Sequence, residues 1–212
     1  MAIPRITVLI SGRGTNLAAL IDAERRAALG GAVSAVISNR ARAEGLAIAA
    51  RHGVAIGIVD HREFAERDAF DAALAAAVDE SEPDIVVLAG FMRILGAPFV
   101  RRYEGRMLNI HPSLLPAYPG LDTHRRVLAD GARVHGCTVH FVTPDVDHGP
   151  IVAQASLDVR DGDDAASLAA RVLELEHVLL PASVRAVCEG RVVIEGRQVR
   201  VREPSAAAAE LS

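Results

Sequence analysis

The fold class is indicated first by residues 6–16, ITVLISGRGTN, a short apolar run followed by a loop with two glycines. Leu17, Leu20 and Ile21 come next, with the spacing of one helix face. A strand, a glycine-rich turn and a helix in this order are typical of the first unit of an open α/β sheet. The stretch therefore predicts a sheet whose first strand carries a binding loop at its carboxyl end.

The strand–helix alternation continues through the first half of the chain, which predicts a doubly wound, mostly parallel sheet in one domain, residues 1–203. The second half predicts further strands, then a long helix interrupted or restarted near Pro181, and a tail at residues 204–212 that we expect to be disordered. The predicted strands are residues 32–37, 55–59, 84–89, 107–110, 134–142 and 151–159, with a hairpin at 192–201. The predicted helices are residues 43–51, 63–80 and 165–189.

Composition supports this fold and excludes several kinds of function. Half of the 212 residues are hydrophobic, 3% are aromatic and none is Trp, so the core must consist of Val, Ile, Leu and Ala, as in sheets buried on both faces. The chain has no Lys, which rules out a Schiff-base lysine, a pyridoxal-phosphate anchor and a Walker-type lysine. The net charge of −4, without a basic block, disfavours nucleic acid as a partner.

Two isolated cysteines, Cys137 and Cys188, predict neither a disulfide framework nor a zinc ribbon. No apolar stretch is long enough to span a membrane, and the first residues are too short for a signal peptide. We therefore expect a cytoplasmic protein that acts on small molecules without a membrane partner, as a monomer or homodimer. Among the eight histidines no pair has the HExxH spacing, so we expect no metal.

The glycine loop (residues 12–16) is a candidate phosphate site. Unpaired backbone N–H groups and the positive end of the helix dipole meet at such a turn, and Gly12 and Gly14 allow the backbone to approach an anion. An ordinary tight turn capped by Thr15 or Asn16 is the alternative. Leu17 stands where a dinucleotide fingerprint would have its third glycine, so a phosphate of a mononucleotide type is favoured.

A second candidate site combines Asn109 and His111 with Asp147. Residues separated by one position face the same side of a strand, so the carboxamide of Asn109 and the imidazole of His111 lie together at the end of one strand. An amide can donate to a developing oxyanion, and an imidazole can carry a proton or a charge. A nearby Asp147 would raise the pKa of His111 and keep it protonated. Taken singly, Asp147 can also be a turn residue and His111 a capping residue.

These motifs together resemble the phosphoribosylglycinamide formyltransferases, the folate-dependent enzymes of purine synthesis. The resemblance runs from about residue 6 to about residue 191. The NIHPSLLP string is shared by folate formyltransferases generally, and the SGxGTN loop points to the phosphoribosyl substrate. The segments that carry it are VLISGRGTNL (8–17), VLAGFMRIL (87–95), LNIHPSLLP (108–116), YPG (118–120), HGCTVH (135–140) and DVDHGP (145–150).

The resemblance implies direct formyl transfer from 10-formyltetrahydrofolate to the amine of 5′-phosphoribosylglycinamide, through a tetrahedral intermediate. It implies Asn109, His111 and Asp147 as the catalytic group. For the phosphoribosylglycinamide it implies Gly12, Arg13, Gly14, Thr15, Asn16 and Glu176. For the folate it implies Arg67, Met92, Arg93, Ile94, Leu95, Asn109 and Asp145. Arg13 and His148 depart from the family pattern, and Arg13 would add a phosphate contact or point outward.

Three other functions are weighed against this one. A methionyl-tRNA formyltransferase usually carries a further C-terminal domain and a basic surface, and a formyltetrahydrofolate deformylase usually carries an N-terminal regulatory domain; neither pattern is visible in the sequence. A nucleotide-binding regulatory module would explain the glycine loop but not Asn109 with His111.

Overall fold

The computed structural model describes residues 2–196 and 198–203, so the predicted disorder of residues 204–212 lies outside the described residues. The strands are β1 Arg5–Ile10, β2 Ala32–Ser38, β3 Ala55–Ile58, β4 Ile85–Leu88, β5 Met107–His111, β6 Val134–Phe141, β7 Ile151–Asp158, β8 Val192–Glu195 and β9 Gln198–Val201. The α-helices are α1 Thr15–Arg25, α2 Glu44–Arg51, α3 Arg67–Glu80, α4 Ala97–Arg102, α5 Thr123–Ala129 and α6 Ala165–Cys188, and a 3-10 turn spans His61–Glu63.

Seven strands form one sheet in the order β3-β2-β1-β4-β5-β6-β7, and β8 pairs with β9 in a separate hairpin. The pairs from β3 to β5 are parallel, and the β5–β6 and β6–β7 pairs are antiparallel. This confirms the predicted doubly wound, mostly parallel sheet. The strand order reverses between β1 and β4, and ligands of open α/β sheets bind at the carboxyl ends of the strands beside such a reversal.

Two apolar clusters, one on each face of the sheet, form the core. One contains Leu17 and Leu20 of α1 and Leu180 of α6, and the other contains Leu74 of α3 and Phe99 of α4. Every residue of β4 and all but the first of β1 are buried, because helices cover both sides of the sheet. The low aromatic content is thus compatible with a core of aliphatic strands.

Some element boundaries differ from the sequence prediction. Helix α3 begins at Arg67 and not at residue 63, because the Asp60 side chain caps a separate short turn by accepting from the Arg62 N–H. Helices α4 and α5 were not predicted, since each is short. Helix α6 continues through Pro181 without the expected break. Burial of its core-facing residues offsets the hydrogen bond that Pro181 cannot donate.

Candidate active site

Asn109 and His111 lie at the carboxyl end of β5, where the parallel half of the sheet meets the antiparallel half. His111 is buried and Asn109 half-buried. The Nδ1 atom of His111 lies 3.5 Å from Oδ2 of Asp147. The structure therefore brings the three predicted catalytic residues together.

The loop after β6 carries Asp147 in an unusual backbone conformation, with φ of +57°. Few residues other than Gly adopt this region, and their presence at a site is a form of stored strain. Gly149 holds the loop against the sheet, since a Cβ there would lie 1.7 Å from the carbonyl oxygen of Phe141. The carboxylate of Asp147 also accepts the Gly120 N–H at 2.8 Å. Two backbone constraints thus aim Asp147 back toward β5.

The pKa of His111 corrects one expectation. Burial lowers this pKa below its ordinary value, although the Tyr118 carbonyl and the Asp147 carboxylate act in the opposite direction. The nearby carboxylate was expected to raise the pKa of His111 and keep it protonated, but the cost of burying a cation outweighs it. The Nε2 atom of His111 lies 3.0 Å from the Tyr118 carbonyl oxygen and donates its proton there. The neutral imidazole then has its free lone pair on Nδ1, beside Asp147.

The pKa of Asp147 shifts downward. Burial by itself would raise this pKa, but the Gly120 N–H and the positive charge that His111 can take up together hold it below its ordinary value. Asp147 is therefore a carboxylate at neutral pH. A full negative charge thus stands beside the unprotonated nitrogen of His111, which is an environment that favours proton uptake when a substrate supplies the proton.

His140 is a site residue that sequence reasoning missed as a partner of Asn109. It lies directly opposite Asn109 in the antiparallel pairing of β5 with β6. Its Nδ1–H donates to the Phe141 carbonyl at 2.8 Å, so its Nε2 is free to accept from Nδ2 of Asn109 at 3.2 Å. This contact orients the carboxamide. Only the register of two strands reveals it, and no local motif encodes that register.

The glycine loop follows β1 and includes the start of α1. Gly14 has φ of +75°, and a Cβ there would lie 2.5 Å from the Cα of Gly45, so the tight turn requires glycine. Gly12 and Arg13 are exposed, Thr15 is half-buried and Asn16 is buried. The loop thus leaves backbone and one guanidinium open to a ligand.

Glu176 lies beside this loop although it belongs to α6. The buried Nδ2 of Asn16 donates to Oε2 of Glu176 at 2.7 Å, while Oδ1 of Asn16 is buried without a partner among the described residues. Burial raises the pKa of Glu176, and Asn16 and the charge of Arg13 offset part of that shift. Helix α6 holds Glu176 in place through its start, where Asp164 accepts from the N–H groups of Ala166 and Ser167.

The residues expected to bind folate lie mainly on the loop after β4 (residues 92–95). Strand β4 pairs with β5, with Leu88 opposite Asn109, so this loop leaves the sheet beside the catalytic strand. Met92, Arg93 and Ile94 are exposed and Leu95 is buried.

Arg67 and Asp145 complete the expected folate set. Arg67 begins α3, and its Nε lies 3.8 Å from Oδ2 of Asp71, which also accepts the Gly96 N–H. Arg67 is thus tied to the end of the 92–95 loop. Asp145 is exposed, in the same loop as Asp147.

Residues 2–196 and 198–203 contain no group of three or more His, Cys, Asp or Glu side chains arranged to hold a metal ion. None of the helices in this part of the chain is long and apolar enough to cross a bilayer.

Comparison with known proteins identifies the family. Residues 4–184 match the formyl transferase family. The chain belongs to that family. The phosphoribosylglycinamide formyltransferase of Escherichia coli (strain K12) is 48% identical over 88% of both chains. A glycinamide ribonucleotide transformylase structure from Symbiobacterium toebii has a TM-score of 0.92 and 49% identity over 95% of both chains.

Two other relatives differ from this chain in sequence identity or in length. A formyltetrahydrofolate deformylase structure from Pseudomonas syringae has a TM-score of 0.89 but 26% identity, over 95% of this chain and 67% of that one. The trifunctional purine biosynthetic protein adenosine-3 of chicken is 44% identical over 90% of this chain. The chain spans about a fifth (19%) of that relative. The relatives named as glycinamide formyltransferases share 48% and 49% identity with this chain, against 26% for the deformylase, which confirms the predicted enzyme class.

Proposed function

We propose that this formyltransferase moves the formyl group of 10-formyltetrahydrofolate directly to the amine of 5′-phosphoribosylglycinamide, with Asn109, His111 and Asp147 as the catalytic group. The amine lone pair forms a bond to the formyl carbon, and the carbonyl electrons move to oxygen. The oxyanion then re-forms the carbonyl as the bond to N10 of the folate breaks, and N10 takes the proton that the amine gave up.

The observation that carries the proposal is the pair of contacts at His111. Its Nε2–H is held by the Tyr118 carbonyl, and its Nδ1 faces the Asp147 carboxylate. A proton taken up at Nδ1 gives a cation that donates to both acceptors. His111 therefore starts neutral, accepts the proton that the attacking amine loses, and becomes positive as the oxyanion forms.

Asn109 supplies a preorganised donor to that oxyanion. His140 accepts one N–H of the Asn109 amide, which fixes the plane of the group and leaves the second N–H available for the substrate. A donor held in place before the reaction lowers the barrier because no reorientation is needed as charge develops.

The acceptor and the donor occupy different loops in this proposal. Residues 12–16 bind the phosphate through backbone N–H groups, with Arg13 as an added cation and Glu176 toward the glycinamide portion. Arg67, residues 92–95 and Asp145 bind the folate, whose carboxylates suit two arginines. The strand order β1-β4-β5 supports this division, because residues 92–95 follow the strand beside β5 and residues 12–16 follow the strand after that.

The test is incubation with 10-formyltetrahydrofolate and one of three acceptors: the glycinamide ribonucleotide, formyl-acceptor tRNA or water. We expect rapid formylation of the glycinamide alone. Preferential reaction with tRNA or with water would replace this function with that of the other formyl transferases or of a deformylase. Binding of the glycinamide without any turnover would favour a regulatory module. The cytoplasmic location stays a prediction.

A further inference from the structure

The two binding loops leave the sheet from neighbouring strands. Residues 12–16 follow β1 and residues 92–95 follow β4, and these strands pair in parallel with Leu9 opposite Leu88. Ser11 stands between the two loops at the end of β1, with only 2% of its surface exposed. None of the roles assigned above involves Ser11.

The hydroxyl of Ser11 makes two short hydrogen bonds. It donates to Oδ1 of Asn39 at 2.6 Å and accepts the backbone N–H of Met92 at 2.7 Å. A hydroxyl has one proton, so the Ser11 hydroxyl must donate to the Asn39 oxygen and accept from the Met92 N–H, and these two roles cannot be swapped. Donor–acceptor chains of this kind strengthen each bond in a buried environment.

Asn39 anchors this chain to a third strand. It follows β2 and is fully buried, and its backbone carbonyl oxygen lies 2.8 Å from Nδ1 of His61, which donates to it. The Asn39 N–H donates to the Ile10 carbonyl at 3.4 Å. Its position is therefore set by the sheet and by the turn after β3, independently of either binding loop.

Packing does little to hold the first part of the 92–95 loop. The side chains of Met92 and Ile94 are 58% and 61% exposed. Phe91, just before the loop, is buried in the apolar cluster of α3 and α4, and the backbone bond from Met92 to Ser11 joins the first exposed residue of the loop to the interior. Ser11 also immediately precedes Gly12, so its side chain restrains both the 12–16 loop and the 92–95 loop.

We propose that Ser11 is a positioning residue that holds the acceptor loop and the folate loop at a common distance through its bonds to Asn39 and Met92. This inference rests on the proposed function. Transfer between two bound substrates requires the reacting atoms to be aligned within a fraction of an ångström. Loss of the hydroxyl leaves the Met92 N–H and the buried amide oxygen of Asn39 without their partner, and the loops relieve this by moving.

Thr7 provides a matched control on the same strand. It is fully buried, and its Oγ1 lies 2.6 Å from Oγ of Ser81 at the opposite end of β1. Thr7→Val removes a buried β1 hydroxyl bond of equal length without touching either loop. A purely structural role for Ser11 predicts the same outcome for both substitutions.

The experiment compares Ser11→Ala, Ser11→Thr and Thr7→Val with the wild-type chain. Calorimetry gives the Kd of glycinamide ribonucleotide and of tetrahydrofolate, steady-state assays give kcat and both KM values, and NMR hydrogen exchange reports the Met92 amide. For Ser11→Ala we expect kcat to fall and both Kd values to rise, each by about tenfold or more. We also expect faster exchange at Met92. Ser11→Thr restores these values in part, and Thr7→Val changes none of them.

Unchanged kcat and Kd values in Ser11→Ala would overturn the inference, as would an equal loss in Thr7→Val. If Ser11→Ala does not fold, Ser11→Cys, with a weaker donor and acceptor, is measured in its place and is expected to lie between alanine and serine. Wild-type protein that binds neither ligand would instead contradict the proposed function. In that case hydrogen exchange at the Met92 amide still tests the bond between Met92 and Ser11, and an exchange rate unaffected by Ser11→Ala would refute the inference.

Discussion

The glycine loop and the catalytic group differ in how they are built. The loop is contiguous, its donors are backbone N–H groups, and the tight approach of Gly14 to Gly45 sets its shape. The catalytic group joins β5 to a loop after β6, and its properties come from buried side chains that act on one another. Changes in the loop should therefore affect substrate affinity, whereas changes in the catalytic group should affect turnover and its pH dependence.

The largest effect is expected from Asn109→Ala. Removal of one oxyanion donor lowers kcat by about 10²–10³-fold. The Kd of glycinamide ribonucleotide should change little, because its phosphate binds at the glycine loop. Steady-state kinetics and calorimetry together separate the two quantities. Near-normal turnover in this variant would remove Asn109 from the catalytic group.

Asp147→Asn should have the next largest effect, a fall in kcat of about 10²-fold, since the cation formed at His111 loses its counter-charge. The carboxylate raises the pKa of His111, so its removal lowers that pKa further. Because the neutral imidazole is the reactive form, the acidic limb of the kcat/KM profile should move to lower pH. A profile that keeps its wild-type limb would reduce Asp147 to a loop residue.

Gly14→Ala should change the glycine loop and not the catalytic group, and so affect substrate binding more than turnover. A methyl group at φ of +75°, 2.5 Å from Gly45, displaces the loop. We expect the KM for glycinamide ribonucleotide to rise by about tenfold while kcat falls less, because the loop contributes binding in the ground state and the transition state alike. Gly53→Ala, also at positive φ but in open space away from the site, is the control for backbone strain. An equal KM effect in Gly53→Ala would argue against a local role.

The smallest effect is expected at the buried His135, which contacts His124, and it concerns the stability of the fold and not turnover. Burial lowers the pKa of His135 to about 4, and the neighbouring His124 and His111 contribute. The unfolded chain therefore binds a proton between about pH 6.5 and pH 4 that the folded chain does not. The free energy of unfolding therefore keeps its full value above pH 6.5. It falls by roughly 3 kcal/mol as the pH drops toward 4, because the unfolded chain takes up the proton first.

Denaturant unfolding across this pH range measures that loss. His135→Gln should flatten the dependence of the unfolding free energy on pH. Equal slopes in wild type and His135→Gln would contradict a neutral, buried His135.

Local features of this protein could be predicted from its sequence. The β1 run, the glycine loop and the strand–helix alternation identify the fold because each depends on neighbouring residues. Asn109 and His111 were predicted for the same reason, since residues separated by one position share a strand face. Helices α4 and α5 were missed because periodicity is weak over so few residues.

The remaining features depend on tertiary contacts. The sequence by itself determined the fold class, the candidate phosphate loop and the chemical types at the reacting centre. Only the folded chain decided that burial lowers the pKa of His111, that His140 lies against Asn109, and that Asn16 meets Glu176. The physical reason is that pKa shifts depend on burial and hydrogen-bond partners depend on strand register. Both are set by residues distant in the chain.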